Sequence, residues 1–336
     1  MTELSGDRVR LSADEAQTLA QNALRTIGYD AEEARIIADH VVDAALCGYE
    51  YSGLPKILNV AEHSQLRRPR RPLRAIHETP VSALLDGGNN NGMVAMYRAT
   101  QTAIDKAGKH GFAVVGVNNS WVSGRSAHYV EMAARAGLIG IHSVSSKIHV
   151  AAPGSSGAAT GTNPIAFGFP TLEEPFVIDL GASAFMGTDL IFQERRKAVL
   201  PEGVAIDAHG RPTRDPSQVH AILPFGGYKG FALALAMQAL GVLAGSGLGD
   251  DKTYGYLIMA IKPDLLLPLD DYRRHMSEML ASVKAAPRQP GVDEIRLPSE
   301  RAFRERARSL RDGIVIDRSI YDALLALPKG QLAERR

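Results

Sequence analysis

A lysine set between glycines at the start of an apolar helix is the first feature of this chain that could do chemistry. Phe225-Gly-Gly-Tyr-Lys-Gly-Phe231 leads straight into Ala232-Leu-Ala-Leu-Ala-Met-Gln238. Lys229, in the first turn, opposes the positive end of the helix dipole at a cost of some tenths of a kcal/mol. A cation beside free helix N–H groups suits a carboxylate or a phosphate, and the flanking glycines let a ligand approach closely. A solvent-exposed lysine beside a turn fits the same residues equally well. Two further segments have a similar double reading. Gly161-Thr-Asn-Pro-Ile-Ala-Phe-Gly-Phe-Pro170 is a turn feeding an apolar strand, with Thr162 and Asn163 at its mouth. Phe176-Val-Ile-Asp-Leu-Gly-Ala-Ser183 is an apolar strand ending in Asp179, Leu180, Gly181 and a small-residue turn. Both are ordinary strand–turn grammar, but ligands gather at strand ends in α/β folds.

Other chemistries lack their residues. Gly245-Ser-Gly247-Leu-Gly249 follows a helical pattern rather than a strand, so it reads as a loop and not as a dinucleotide fingerprint. There is no Walker loop, no G-x-S-x-G elbow and no H-E-x-x-H pair. The 10 histidines are scattered without ligand spacing, and no metal site is predicted. Lys and Arg (38) balance Asp and Glu (37), so no global field favours nucleic acid or an anionic membrane. The one basic run, Leu66-Arg-Arg-Pro-Arg-Arg-Pro-Leu-Arg74, has no interleaved aromatics and reads as a solvated linker. The lone Cys47, the absence of a signal-like N-terminal segment and of any bilayer-length apolar run point to a soluble, cytoplasmic protein.

The elements that must position these residues form two textures. Ser12 with Glu15, and Asp30 with Glu33, read as helix starts, with stops at Gly28 and Gly48. Leu19, Ala23, Ile27, Ile36, Ile37, Val41 and Ala45 give this helical pair its apolar stripes. From Val81, short β-type runs (112–117, 138–141, 165–169, 176–179) alternate with helices at 94–109, 126–136 and 229–244. The tail returns to helix at 299–312 and, capped by Asp317, through Leu327. The predicted fold class is α/β: a sheet lobe (75–267) enclosed by a discontinuous helical lobe from both chain ends (1–74 and 268–336).

Taken together and in order, eight segments resemble the malate/L-lactate dehydrogenase family. They are Asp86-Gly-Gly-Asn, Gly116-Val-Asn-Asn-Ser120, the Gly161 turn, Ile178-Asp-Leu-Gly-Ala-Ser183, Leu200-Pro-Glu-Gly, Asp207-Ala-His-Gly-Arg-Pro-Thr, Leu223-Pro-Phe-Gly-Gly-Tyr-Lys-Gly and Arg296-Leu-Pro-Ser-Glu-Arg301. The family includes ureidoglycolate, diketogulonate and sulfolactate dehydrogenases and cyclic ketimine-2-carboxylate reductases. The resemblance implies NADH or NADPH held by a sheet lobe that is not a Rossmann fold, a small carboxylate-bearing 2-oxo or 2-imino acid as substrate, and a homodimer. Carried over by residue, it places cofactor contacts on Ser145 or Ser146, Asp179, Leu180, Gly181 and Lys229, to which the polar mouth of the Gly161 turn adds Thr162 and Asn163 as candidates. It adds the turn Pro298, Ser299 and Glu300, where relatives have Pro-Gly-Glu.

The same resemblance marks departures. Where relatives carry Asp-Ser-His-Gly with an arginine four residues beyond, this chain reads Gly48-Tyr-Glu-Tyr-Ser-Gly-Leu-Pro-Lys56. Ser52 falls on the histidine, Tyr51 on the serine and Lys56 on the arginine. A second family histidine falls on Val122. Removing a positioned acid typically costs a factor of roughly 10²–10⁴ in reducing a ketone. A protonated cyclic imine escapes that cost, because it arrives with its proton and leaves as a neutral amine. The expectation is therefore a reductase of an imine, or of an unusual carbonyl with Tyr51 as donor, with Lys56 holding the substrate carboxylate as a point charge. Asp189, ten residues past Asp179, lies where the resemblance to ketimine-reducing relatives allows a catalytic carboxylate; an exposed helix-cap role fits it at least as well. His128, His142 or His149 could instead reach the site from another element. The competing class is a degenerate relative that binds NAD(P) or a small acid without redox turnover.

Overall fold

The computed structural model describes residues 2–3, 7–247 and 254–330. Gly249 of the glycine-rich loop therefore lies outside the described residues. The chain opens with β1 (Thr2–Glu3) and β2 (Arg8–Leu11), then α1 (Ala13–Thr26) and α2 (Ala31–Leu46). Ser12 and Glu15 form a reciprocal capping box, and the Asp30 side chain accepts the Glu33 N–H. A short 3₁₀ turn at Glu50–Ser52 leads to α3 (Pro55–Glu62), which starts on a proline, a residue whose missing N–H costs nothing there.

The middle of the chain builds a seven-stranded sheet. In order it supplies β3 (Arg74–Thr79), β4 (Ser82–Asn91), α4 (Gly92–His110), β5 (Phe112–Trp121), α5 (Ser126–Arg135) and β6 (Ile139–Ser145). Next come β7 (Val150–Ala151), β8 (Ala158–Thr160), β9 (Ile165–Phe169), β10 (Phe176–Leu180) and α6 (Gly187–Arg195). After β11 (Ala205–Ile206) and β12 (Ala221–Ile222) follow α7 (Tyr228–Leu243) and β13 (Gly255–Ile261). The large sheet runs β10-β9-β6-β13-β5-β4-β3, and β7, β8, β11 and β12 make a small four-stranded one. Within the large sheet only β4 and β5 pair in parallel. A Rossmann sheet needs parallel neighbours, so this nucleotide-sized lobe is of another kind. Helices α4 and α5 cover one face over a core of Val115, Val117, Tyr129, Val130 and Ile258, and α7 packs on β6 and β13 from the other.

The chain then returns through α8 (Leu269–Lys284), α9 (Glu300–Asp312), β14 (Ile314–Asp317) and α10 (Arg318–Leu325). Strand β14 pairs antiparallel with β2, and α10 packs on α1 and α3, so the two chain ends share one core with Leu24, Ile37, Ile57, Ile316 and Ile320. Two local readings need correction. Arg70 is not a solvated linker residue: it is buried and pairs with Glu33 at 2.8 Å. Asp317 makes no side-chain cap to α10; its carboxylate meets Arg8 at 2.6 Å and Arg196 at 3.2 Å.

Candidate active site

Strand β10 is an edge of the large sheet, so one row of its backbone groups has no ladder partner. Its C-terminal end is stitched to the Thr162 turn and to the start of α7. The Ala182 N–H donates to the Thr162 carbonyl at 2.8 Å, the Ala184 N–H to Leu223 at 2.8 Å, and the Phe225 N–H to Ala182 at 3.2 Å. Asn163, buried with φ at +34°, is the tie. Its Oδ1 accepts the Ser146 N–H at 2.9 Å, and its Nδ2 donates to Ala234 O at 2.9 Å and Gln238 Oε1 at 3.2 Å. The Asn163 side chain is thus engaged within the protein, where it fixes the shape of the turn. Ser145 is fully buried, with its hydroxyl 3.0 Å from Ser246 Oγ and accepting the Gly255 N–H at 3.0 Å. Ser146 is the serine left partly open, beside Thr162.

Lys229 is exposed on the same cluster and has no acidic partner among the described residues. The helix it opens is preceded by Gly227 at φ +60°, where a Cβ would meet nothing within 4 Å. Room for a ligand therefore exists beside the cation, and the residues fit an anionic cofactor group. The turn Pro298-Ser299-Glu300 lies toward the other end of β10. Ser299 sits at φ +64°, a left-handed conformation that glycine adopts more readily than serine. Glu300 accepts the Leu297 N–H at 3.1 Å and pairs with Lys284. Pro298 and Glu300, with Phe176, Leu280, Lys284 and Phe303, border a cavity of about 410 Å³. Strand β10 thus has this cavity at its N-terminal end and the Asp179–Lys229 cluster at its C-terminal end.

The third part of the site is Lys56. Only 5% of it is exposed, its Nζ donates to Thr188 Oγ1 at 2.9 Å, and among the described residues no carboxylate comes within ion-pair distance. Burial lowers its pKa to about 8. Thr188, in the first turn of α6, carries no local sequence signal for this role. Tyr51 is close by, and burial together with the charges of Asp189 and Asp179 raises its pKa well above the ordinary value. The charge of Arg125 opposes that rise without cancelling it, and Lys56 is not among the main charges acting on the phenol. Asp189, half-buried, accepts from Gln193 Nε2 at 2.9 Å, and burial raises its pKa. Asp179 is open to solvent on one side but otherwise surrounded by protein. That crowding raises its pKa against the opposing Ala127 N–H, at 2.8 Å, and Arg125. Its carboxylate thereby anchors the start of α5. Ser52 is buried beneath, and Val122 holds φ +55°, a strained setting for a β-branched residue of the kind found at functional sites.

The three histidines have separate settings. His128 lies 3.6 Å from Asp43 with its ring 4.5 Å from that of His40. It belongs to an ionic network in which Asp43 meets Arg125 at 2.8 Å and Arg306 at 2.9 Å, while Arg306 also meets Glu131 at 2.7 Å. His142 is a core residue, bonded through Nδ1 to the Leu257 carbonyl at 2.9 Å, and burial lowers its pKa to about 4. His149 sits on the segment after Ser146 with its ring against Gly187.

The comparison with known proteins bears on the arrangement as a whole. Residues 11–325 match the model of the malate/L-lactate dehydrogenase family. The chain belongs to that family. It is 30% identical over 329 residues to the L-sulfolactate dehydrogenase of Methanocaldococcus jannaschii, covering 94% of this chain and 95% of that one. It is 32% identical to the malate dehydrogenase of Pyrococcus abyssi, covering 94% and 93%. Among solved structures, the malate dehydrogenase of Pyrococcus horikoshii superposes with a TM-score of 0.86 at 28% identity, covering 97% of each chain. The delta1-piperideine-2-carboxylate reductase of Pseudomonas syringae pvar. tomato superposes with a TM-score of 0.81 at 27% identity, covering 95% of this chain and 99% of that one. Family membership makes this chain an oxidoreductase of the kind that acts on small 2-hydroxy, 2-oxo or cyclic imine acids.

Proposed function

We propose that this chain is an NAD(P)H-dependent reductase whose preferred substrate is a cyclic imine bearing a carboxylate. The observation that carries the proposal is the charge pattern of the site: the buried Lys56 amine has no counter-ion, and two carboxylates, Asp179 and Asp189, act on Tyr51 against an Arg125 that is itself paired with Asp43. A buried ammonium without a partner is costly, and an incoming carboxylate offsets that cost. The two acids favour a positive charge nearby. A protonated cyclic imine with a 2-carboxylate carries both charges, whereas a 2-oxo acid carries only the negative one.

In this reading Lys56 orients the carboxylate and Asp189 stabilises the iminium. The cofactor is held by Ser146, Thr162, the Asp179-Leu180-Gly181 strand end and Lys229, with Pro298, Ser299 and Glu300 beside the cavity at the far end. When bound, the dihydronicotinamide supplies the hydride. The resulting amine is neutral, so Ser52 and Val122 are acceptable where relatives carry imidazoles. The working unit in this proposal is a homodimer joined through α7.

The test is oxidation of NADH and of NADPH with pyruvate, 2-oxoglutarate-type acids and cyclic ketimine carboxylates. Faster turnover of the imines, with Lys229→Met raising the cofactor Kd about 10-fold or more through loss of a charge-assisted contact, supports the proposal. Turnover of ketones but not imines sinks the substrate assignment. Cofactor binding without consumption by any substrate leaves the non-redox reading instead.

A further inference from the structure

Reduction of a 2-oxo acid by the same site, under the reductase reading above, needs a proton at the carbonyl oxygen. The nearby groups can be taken in turn. Ser52 and Val122 offer no acid; burial, with the charges of Asp189 and Asp179, outweighs Arg125 and holds the Tyr51 proton fast; and in the reading above Lys56 is engaged with the substrate carboxylate. Asp179 anchors the start of α5. His40 accepts the Arg125 N–H at 2.7 Å and is buried, and His128 is bound up with Asp43. His63 accepts the Gln65 N–H at 3.2 Å and is stacked on Trp121 with ring centroids 4.6 Å apart. His142 is fixed in the core.

His149 is different. Its ring is half-buried and neither nitrogen has a hydrogen-bond partner among the described residues. Its backbone is clamped on both sides: its N–H donates to Thr160 at 2.8 Å, and its carbonyl accepts the Ile222 N–H at 2.8 Å. A Cβ built on Gly187 would lie 3.6 Å from His149 Cδ2 and 3.9 Å from the Thr162 methyl. The next residue, Thr188, holds the Lys56 amine at 2.9 Å. The imidazole therefore lies beside Gly187, which also neighbours Thr162 on the cofactor side and is followed in the chain by the Thr188 that binds Lys56 on the substrate side.

We propose that His149 is the catalytic acid–base residue for 2-oxo and 2-hydroxy acids, doing from β7's approach what imidazoles at positions 52 and 122 do not do here. The hydride pair from NAD(P)H forms the new C–H bond at the carbonyl carbon, and the C=O π pair moves to oxygen. The proton on the imidazolium of His149 passes to that oxygen. The products are the 2-hydroxy acid, NAD(P)⁺ and neutral His149, which regains a proton from solvent through its exposed edge. The charged group acting on it is Lys147 on its own segment, which also acts on His63 just past the end of α3. Burial and Lys147 lower its proton affinity in the ligand-free protein, and a bound substrate carboxylate raises it again. Reduction should thus slow as pH rises through neutrality, while oxidation of the hydroxy acid speeds up.

The experiment compares wild type with His149→Gln and His149→Ala. With a 2-oxo acid, His149→Gln should lower kcat by roughly 10²–10⁴ and flatten the neutral limb of the pH profile. The ratio of imine to ketone turnover should rise by at least about 30-fold. Added imidazole should restore part of the ketone rate to His149→Ala. Independently of turnover, histidine NMR should show the one resonance missing in His149→Gln titrating at higher pH once cofactor and oxamate are added. A wild-type ketone rate in His149→Gln, equal loss on both substrate classes, or a His149 resonance indifferent to oxamate would overturn the assignment while leaving the reductase reading in place. A wild type that consumes NAD(P)H with neither class sinks both.

Discussion

At the scale of single residues, Lys56 sets function against stability. Its proton affinity is lower in the folded protein than in an unfolded chain, with pKa values of about 8 against 10.5. The desolvation penalty is therefore fully present below pH 8, shrinks as pH rises from 8 to 10.5, and vanishes above that range. Lys56→Met keeps the side-chain length and removes the charge. It should stabilise the protein by ~1–3 kcal/mol at pH 7, with the gain fading toward pH 10.5. Denaturant melts at several pH values check this. The same variant should raise KM for any carboxylate substrate at least tenfold, as expected where a site retains a strained charge for binding. A variant that is neither more stable nor weaker in binding would show that the amine is not waiting for an anion.

At the scale of elements, the network of Asp43, Arg125, Arg306 and Glu131 joins α2, α5 and α9 behind the site. Arg306 meets Asp43 at 2.9 Å and Glu131 at 2.7 Å, and these ion pairs, with hydrogen bonds to the guanidinium, help hold both acids below their usual range. Arg306→Met should cost ~2–4 kcal/mol, because it leaves two largely buried carboxylates short of a partner. Wild type should lose the network's contribution as pH falls through and below the ordinary carboxylate range near 4, and the variant should have a shallower acid limb. Urea melts between pH 7 and 3 measure both.

Such networks mark the boundary of what the chain reveals before folding. The Ser12 and Asp30 caps, β9, β10 and α7 are legible because caps and periodicity are local. Arg70 reads as solvated because its partner Glu33 is 37 residues away and nothing nearby announces it. Thr188 meets Lys56, 132 residues away, and Gly187 meets His149 only in the folded chain, so their part in the site has no signature in spacing. Ser145 and Ser146 are adjacent and chemically identical. The strand pleat alone turns Ser145 inward and leaves Ser146 open.

At the scale of the whole molecule, pairing of β2 with β14 closes the chain ends into one helical lobe and leaves α7 on the outside of the sheet. The sequence of α7 is apolar nearly all round, yet Leu235, Val242 and Leu243 are 48%, 57% and 68% exposed. A helix of this composition is stable in water when both its faces are covered, and here the sheet covers only one. A second copy on the open face meets that need and fits the homodimer proposed above. It would also bring the neighbouring subunit close to Lys229, in the first turn of the same helix. Leu235→Glu with Val242→Glu should therefore halve the mass measured by light scattering. Because these positions point away from the sheet, the far-UV spectrum should be unchanged. If the cofactor cluster depends on the assembled face, the monomer should bind NAD(P)H more weakly than the dimer, and Lys229→Met should then weaken it little further. A wild type already monomeric at micromolar concentration would exclude α7 as a self-interface and leave its apolar face without a second copy.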